Sequence, residues 1–119
     1  MSETFAAYMP HIRQRWLAEQ HDWQARRARA WECTQRAVTV LREQFGAHDV
    51  IAFGSLVGQG IFDEHSDIDL AVTGIAPQKF FRAWADAARV TDEFELDLVD
   101  LADCAPALRE KIRAEGAPL

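Results

Sequence analysis

The chain has 119 residues, which is enough for one domain with a buried core and too few for two ordinary domains. Its hydrophobic content of 49% and charged content of 27% are usual for a globular protein. The formal net charge is −6, and lysine occurs only at Lys79 and Lys111. A nucleic acid is therefore not expected as a general partner, because nonspecific binding needs clustered cations that displace counterions.

Cysteine content and the length of apolar runs indicate the redox compartment and whether a membrane span is expected. Cys33 and Cys104 are too few for a disulfide framework, and we expect both to be small buried hydrophobes. The first eight residues have no basic start, so no signal peptide is predicted. Nothing approaches the roughly 18 consecutive apolar residues that indicate a membrane span. We therefore expect a reduced, cytoplasmic protein without a membrane partner.

Residues 10 to about 45 have the composition of a helix, with no Gly or Pro between Pro10 and Gly46. Large apolar side chains recur at spacings of four and seven, but the stripe shifts between Trp23 and Trp31. Two interpretations remain: one long helix with a bend, or two helices with a break near Arg26–Arg29. Gly46 is predicted to cap the C-terminal end.

After Gly46 the pattern changes to short apolar runs separated by turns. Strands are predicted at residues 50–53, 66–72 and 94–101, and a weak short helix at residues 56–60. Two further helices are predicted at residues 77–90 and 105–115, each with a proline near its start. The apolar side of the first of these two helices is predicted to consist of Phe80, Phe81, Trp84 and Ala88.

The most informative stretch reads Phe53-Gly-Ser, eleven residues, then Asp67-Ile-Asp69-Leu. The Gly54-Ser55 turn follows a strand, where free backbone N–H groups and a hydroxyl suit a phosphate. Asp67 and Asp69 alternate on a predicted strand, so they would project to one side at roughly 6–7 Å along the chain. Two such oxygen donors form half of a Mg²⁺ site, which water and substrate phosphates complete. The stretch therefore predicts chemistry on a nucleoside triphosphate.

The strand predicted at residues 94–101 supplies a third acidic group. If Leu96 and Leu98 face a core, Asp97 can face the same side as the neighbouring acidic pair. Three acids around a divalent metal would clamp a triphosphate and activate an incoming hydroxyl, with Asp97 as a ligand or as the general base. Glu95 and Asp100 remain alternatives for this role.

Each part of this motif also has a simpler interpretation. Two aspartates on an exposed strand are usually only solvated, and Gly-Ser after a strand is mostly a turn that precedes a helix. The ordered set favours the functional interpretation: an apolar strand, Gly-Ser, a loop, Ser-Asp-Ile-Asp-Leu, a helix, and a strand with a central Asp.

This ordered set resembles the minimal nucleotidyltransferases of the DNA polymerase β superfamily. The resemblance covers residues 46–119, including the tail from Leu108 to Gly116. It implies an α+β fold, in which a small mixed β-sheet is flanked by helices and preceded by the helical extension of residues 1–45. It further implies the roles of five residues. Gly54 and Ser55 would bind the nucleotide, ATP or another triphosphate, and Asp67, Asp69 and Asp97 would be the catalytic residues that hold two Mg²⁺ ions.

The chain departs from the family pattern in the loop after Gly-Ser. This loop is one residue longer than the commonest family spacing, and Gly58, followed by Gln59, stands where relatives often have Arg. A cation expected to neutralise phosphate is thus missing at this position. All three acids are present, so an active enzyme is favoured.

The resemblance also implies a biological role and a partner. Many relatives are antitoxins that transfer AMP from ATP to a hydroxyl of a HEPN-type toxin. The chain has no room for an acceptor domain, so we expect a partner protein or a homodimer to complete the acceptor site. The N-terminal helix, with Trp16 and Trp23, is the candidate contact. The alternatives are a non-catalytic antitoxin that acts by contact and a nucleotide-binding module.

Overall fold

The computed structural model describes the backbone of residues 2–119 and the side chains of residues 12–19 and 21–119. One-turn 3₁₀ helices at Gly54–Leu56 and Pro77–Lys79 accompany the longer elements. The helices and strands are α1 (Ser2–Phe45), β1 (Val50–Phe53), β2 (Ile68–Val72), α2 (Phe80–Val90), β3 (Leu96–Asp100), α3 (Pro106–Glu115) and β4 (Ala117–Pro118). The fold is α+β with one mixed sheet, which confirms the predicted class.

The four strands lie in the order β3-β2-β1-β4. β2 and β3 are parallel and are connected through α2, whereas β1 runs antiparallel to both β2 and β4. Alternate side chains of the strands enter two separate cores. One face of the sheet packs against α1 and α2, and the opposite face packs against Ile112 of α3. The sheet is therefore a middle layer between two layers of helix.

α1 is a single helix, so the predicted alternative of two helices with a break near Arg26–Arg29 is wrong. It begins at Ser2, earlier than predicted, and Pro10 removes one amide donor without ending it. Five small or apolar residues of its C-terminal half are buried in the main core: Ala30, Cys33, Ala37, Val38 and Leu41. Ile12 and Trp16 are more than half exposed. The apolar stripe shifts because only the second half of the helix packs on the sheet.

The end of α1 follows the prediction. Gly46 adopts φ +73°, a left-handed conformation that glycine reaches without steric cost. Its N–H donates to the Arg42 carbonyl at 3.2 Å, and the Ala47 N–H donates to the Leu41 carbonyl at 3.0 Å. These bonds satisfy carbonyls of the last helical turn, so Gly46 is the C-terminal cap that the sequence predicted.

The predicted boundaries differ from the observed ones in three places. β2 begins at Ile68, not at residue 66, and β3 is limited to Leu96–Asp100. Residues 56–60 form no helix of their own, because the 3₁₀ turn is confined to Gly54–Leu56. β4 was not predicted, since a two-residue strand with a proline has no recognisable pattern.

The buried side of α2 also differs from the prediction. Phe81 is 77% exposed, whereas Ala83 and Ala87 are completely buried. Small side chains at these positions allow α2 to lie close to the neighbouring elements, while Trp84 anchors it by donating its indole N–H to the Leu96 carbonyl at 2.7 Å. Both cysteines are free; Cys33 is buried, as predicted, whereas Cys104 is only half-buried. Within residues 2–119, no helix is both long and apolar enough to cross a membrane.

Gly116 joins α3 to β4 at a point where the backbone passes against β1. A Cβ added there would lie 2.5 Å from the Ile112 carbonyl oxygen and 3.0 Å from the Ala52 carbonyl oxygen, both of which are fixed by secondary structure. We expect Gly116→Ala to lower the free energy of unfolding by about 2 kcal/mol through overpacking. Urea denaturation measures the change.

Gly60→Ala is the matched control, because a Cβ at Gly60 would have no atom within 4 Å and the residue does not have a positive φ. The control should unfold within about 0.5 kcal/mol of the wild type. Equal stabilities of the two variants would contradict the packing argument.

Candidate active site

The Gly-Ser turn and the acidic pair meet at Gly54 and Asp69. Gly54 directly follows β1 and adopts φ +71°, which lets the chain leave the strand abruptly. A Cβ on Gly54 would collide with the Asp69 Oδ2 oxygen and would lie 3.3 Å from the Asp69 Cγ. Only glycine therefore allows the turn backbone to lie directly against this carboxylate. The turn is closed by the N–H groups of Val57 and Gly58, which donate to the Gly54 carbonyl.

The sheet register brings Asp97 to the same place. Phe53 pairs with Asp69 across β1 and β2, and Asp69 pairs with Asp97 across β2 and β3. The three residues thus lie in one row across the sheet, on the face that α3 packs against. Ser55, the next residue of the turn, is exposed. The Gly-Ser turn thus lies near Asp69 and Asp97 on this face, where β1 ends and β2 and β3 begin.

Asp67 immediately precedes β2, whereas the sequence predicted it inside the strand. It is half-buried and lines a small cavity together with Arg26 and Glu95. Its charge nevertheless acts on Asp69, so the two carboxylates are neighbours.

The two alternatives to Asp97 lie elsewhere. Glu95 precedes β3, and its carbonyl accepts a hydrogen bond from the Ile68 N–H at 2.9 Å. Asp100 lies opposite Val72 at the other end of the strand, and its carboxylate accepts the Ala102 N–H at 3.0 Å. Asp97 is thus the member of this group that lies directly opposite Asp69.

Asp69 is the acidic residue of this cluster whose pKa is clearly raised. The pKa of its carboxyl group is raised from the ordinary value of 3.8 to about 6, mainly by burial and in addition by the negative charges of Asp97 and Asp67. A carboxyl group between two others ionises only at the expense of repulsion. A cation bound between these groups would relieve that repulsion.

The donor chemistry fits a magnesium ion, although the side chains do not form a closed cage. Among the residues whose side chains are described, no three His, Cys, Asp or Glu groups are placed to hold one metal ion together. Mg²⁺ does not require such a cage, since it commonly takes one or two carboxylates and completes its shell with water and phosphate oxygens. The carboxylates of Asp69, Asp97 and Asp67 supply oxygen donors beside a turn whose backbone is open to a phosphate.

A cavity of about 800 Å³ opens beside the Gly-Ser turn, and sequence reasoning did not anticipate it. One wall is the turn from Phe53 to Gln59, and the other is α3, with Leu108, Lys111 and Ile112. Lys111 therefore lines the same cavity as Gly54. The sequence signal was weak, because a single lysine on a short amphipathic helix usually only faces solvent.

A contact between α1 and the turn was not predicted from the sequence. Arg27 donates hydrogen bonds to the carbonyls of Ser55, at 3.2 Å, and of Gly60. Its guanidinium lies 6.0 Å from the centroid of the Phe62 ring. No local pattern could indicate this contact, because about 30 residues separate the partners in the sequence.

Comparison with known proteins shows the family of the chain. The family described as "Polymerase beta, Nucleotidyltransferase" matches residues 35–119, which is most of the chain and contains all five site residues. The chain belongs to the polymerase β nucleotidyltransferase family. The resemblance inferred from the Gly-Ser and Asp-x-Asp motif is thereby confirmed. No curated protein sequence matches the chain significantly.

Solved structures of this family are similar to the chain. A protein provisionally described as a minimal nucleotidyltransferase is 26% identical, with a TM-score of 0.59, covering 84% of this chain and 95% of its own. A chain from a variant of the toxin–antitoxin pair MntA-HpeT is 27% identical, with a TM-score of 0.60. The match covers 72% of this chain and 70% of that chain. A tri-AMPylated Shewanella oneidensis HEPN toxin in complex with an MNT antitoxin contains a chain with the same fold, at 22% identity, a TM-score of 0.57 and coverages of 75% and 70%.

The raised pKa of Asp69 predicts a specific pH dependence of stability. The folded protein holds the Asp69 proton more tightly than the unfolded chain, so this group loses stabilisation as the pH rises from about 4 to about 6. Asp69→Asn removes the effect. The variant should therefore gain stability relative to the wild type across this window and keep the gain above it. We expect a gain of about 1 kcal/mol, because Asp69 is only half-buried and solvent screens its charge.

Urea denaturation of both proteins between pH 4 and pH 8, without divalent cations, measures the difference. Asp92→Asn is the control, since Asp92 is exposed in the turn after α2. A stability difference for Asp69→Asn that does not change with pH would contradict the assignment.

Proposed function

We propose that this member of the nucleotidyltransferase family is a Mg²⁺-dependent enzyme that transfers AMP from ATP to a hydroxyl group of a partner protein. The observation that carries the proposal is the contact of Gly54 with the Asp69 carboxylate, with Asp97 in register beside it. The Gly-Ser turn, which would bind the phosphates, thus lies against acidic groups that would hold the metal. The proposed partner is a HEPN-type toxin, because similar structures contain toxin–antitoxin pairs.

The residues of the chain would divide the reaction among them. The backbone at Gly54 and the Ser55 hydroxyl would bind the phosphates of the nucleotide. Asp67, Asp69 and Asp97 would hold the magnesium ions, which would neutralise the phosphate charge and lower the pKa of the acceptor hydroxyl. Asp97 is exposed and would therefore be available to accept the hydroxyl proton.

The transfer balances without a further reactant. The acceptor oxygen forms a bond to the α-phosphorus of ATP, and the bond between that phosphorus and the oxygen bridging to the β-phosphate breaks. Pyrophosphate leaves with the bond electrons, and the hydroxyl proton passes to a carboxylate or to solvent. AMP remains attached to the partner.

Incubation with ATP labelled at the α-phosphate, Mg²⁺ and a purified HEPN-type protein from the same organism tests the transfer. We expect label on the partner, and Asp69→Asn or Asp97→Asn should lower the rate at least about a hundredfold through loss of a metal-binding carboxylate. Asp92→Asn should keep the wild-type rate. ATP labelled at the γ-phosphate should leave the partner unlabelled, because that phosphate departs in pyrophosphate.

A specific observation favours a second candidate, in which the chain acts by contact without catalysis. The described acidic side chains do not converge on one metal position, and Gly58 occupies a position where relatives often have arginine. A wild-type protein that neutralises its partner without transferring label would establish this alternative. Failure to bind any nucleoside triphosphate in a Mg²⁺ titration would exclude both the enzyme and a nucleotide-binding module.

The proposed partner contact is the exposed N-terminal half of α1. Ile12, Trp16 and Leu17 are 56%, 53% and 53% exposed, although large apolar groups are usually covered. The aromatic and apolar side chains enriched at interface cores are thus presented on a helix that projects from a molecule 65 Å long. Trp23 is half-buried and lies nearer the body of the protein.

Charge introduced on this surface should prevent association. We expect Trp16→Glu combined with Leu17→Glu to weaken binding of the HEPN-type partner at least about a hundredfold, because two apolar contacts are lost. ATP binding should be unchanged. Phe81→Glu, which alters an exposed apolar residue on α2, is the control. Light scattering after size-exclusion chromatography measures the complex, and undiminished association of the double variant would contradict the assignment.

A further inference from the structure

The side chain of Arg27 on α1 contacts the first part of the Gly-Ser loop, which comprises residues 54–66. One Nη nitrogen of Arg27 donates both to the Ser55 carbonyl at 3.2 Å and to the Gly60 carbonyl. These two carbonyls lie at opposite ends of the segment that contains Gly58. The guanidinium therefore links the two ends of the segment from Ser55 to Gly60.

The next arginine of the helix holds the following part of the same loop. Arg26 donates from its Nε to the Asp63 carbonyl at 3.0 Å, and its guanidinium lies 4.8 Å from the centroid of the Phe94 ring. Asp63 in turn forms a small turn with Ser66, one residue before Asp67. The loop is thus attached to α1 at both of its ends.

The environment of Arg27 indicates that its position is determined by the loop. The Nε of Arg27 is buried and has no hydrogen-bond acceptor among the described residues. A buried donor without an acceptor costs about 1–3 kcal/mol. The Nη bonds to the loop carbonyls are therefore made although the Nε of the same guanidinium lacks an acceptor among the described residues.

The contact also affects which backbone groups face the acidic residues. In a trans peptide the C=O and N–H groups point in opposite directions. Because the Ser55 carbonyl points to Arg27 on α1, the N–H of Leu56 points away from α1. Asp69 and Asp97 project on the face of the sheet opposite α1. The contact therefore turns a backbone donor toward the side of the sheet that carries the acidic residues.

We propose that Arg27 is a positioning residue that holds the Gly-Ser loop in the conformation that receives the nucleotide phosphates. The inference rests on the proposed function, because it assigns the loop to a nucleoside triphosphate. Arg27 lies outside residues 35–119, which match the family. The loop of this chain has Gly58 and Gln59 where it could have carried its own cation, and α1 supplies a cation to the loop from the other side.

Three variants of the full-length chain test the proposal. Arg27→Gln removes the charge and the paired hydrogen bonds, and Arg27→Lys keeps the charge but loses the planar fork. Arg29→Gln is the matched control, because Arg29 lies on the same helix and pairs with Glu93 on an exposed surface. Circular dichroism and thermal unfolding establish that each variant is folded at the temperature of the assays.

Two readouts separate positioning from a purely structural role. Hydrogen exchange of residues 54–62 without nucleotide reports on the loop, and calorimetric titration with ATP and Mg²⁺ reports on phosphate binding. We expect Arg27→Gln to accelerate exchange in this segment about tenfold and to raise the Kd and KM for ATP about tenfold, with a smaller change in kcat. Arg27→Lys should be intermediate, and Arg29→Gln should match the wild type.

The outcomes distinguish the two proposals. Unchanged loop exchange in Arg27→Gln overturns the inference, and so does faster exchange with an unchanged Kd for ATP, because Arg27 would then be only structural. A wild-type protein that binds no triphosphate overturns the proposed function and the nucleotide part of this inference together. A wild type that binds ATP, with variants that follow the expected order, supports the inference even if no partner becomes labelled.

Discussion

The close approach of the Gly54 backbone to the Asp69 carboxylate is the constraint on which the site depends. The chain leaves β1 at Phe53, and the antiparallel register places this residue opposite Asp69. Any side chain at the next position would collide with that carboxylate, and a positive φ would be strained for any residue except glycine. A single glycine therefore permits the Gly-Ser turn to lie directly against the carboxylate of β2. The parallel pairing of β2 with β3 then adds Asp97 to the row.

The two faces of the sheet differ in how much of each is covered by buried apolar residues. The face toward α1 and α2 carries the larger core, in which Leu70, Leu96 and Leu98 are almost completely buried. The face toward α3 has a small core and leaves room for Asp69, Asp97 and the adjoining cavity. Burying Asp69 beside two other carboxylates costs free energy, and its raised pKa reflects first this burial and then the charges of Asp97 and Asp67. The same repulsion makes a divalent cation a favourable ligand.

α1 contributes to the main core, to the loop contacts and to the exposed apolar surface. Its C-terminal half is part of the main core, its middle carries Arg26 and Arg27 to the loop, and Ile12 and Trp16 remain exposed nearer its N-terminus. One rigid element thus joins the core, the proposed nucleotide loop and the proposed partner surface. A helix of this length is destabilised by glycine or proline in its interior, and the sequence has neither between Pro10 and Gly46.

The sequence by itself determined the features that depend on near neighbours in the chain. The family, the α+β class, β1, the cap at Gly46 and the helix at residues 106–115 follow from short patterns of apolar, glycine and proline residues. The five candidate site residues were also named from the sequence, and the tertiary structure brings the Gly-Ser turn, Asp69 and Asp97 together. Only the tertiary structure decided that Asp67 lies outside β2, that Phe81 is exposed and that β4 completes the sheet. It alone placed Lys111 and Arg27 beside the loop. Local patterns report the conformation that a segment prefers, whereas these features depend on which distant segments pack against it, and a single sequence contains no direct signal of that pairing.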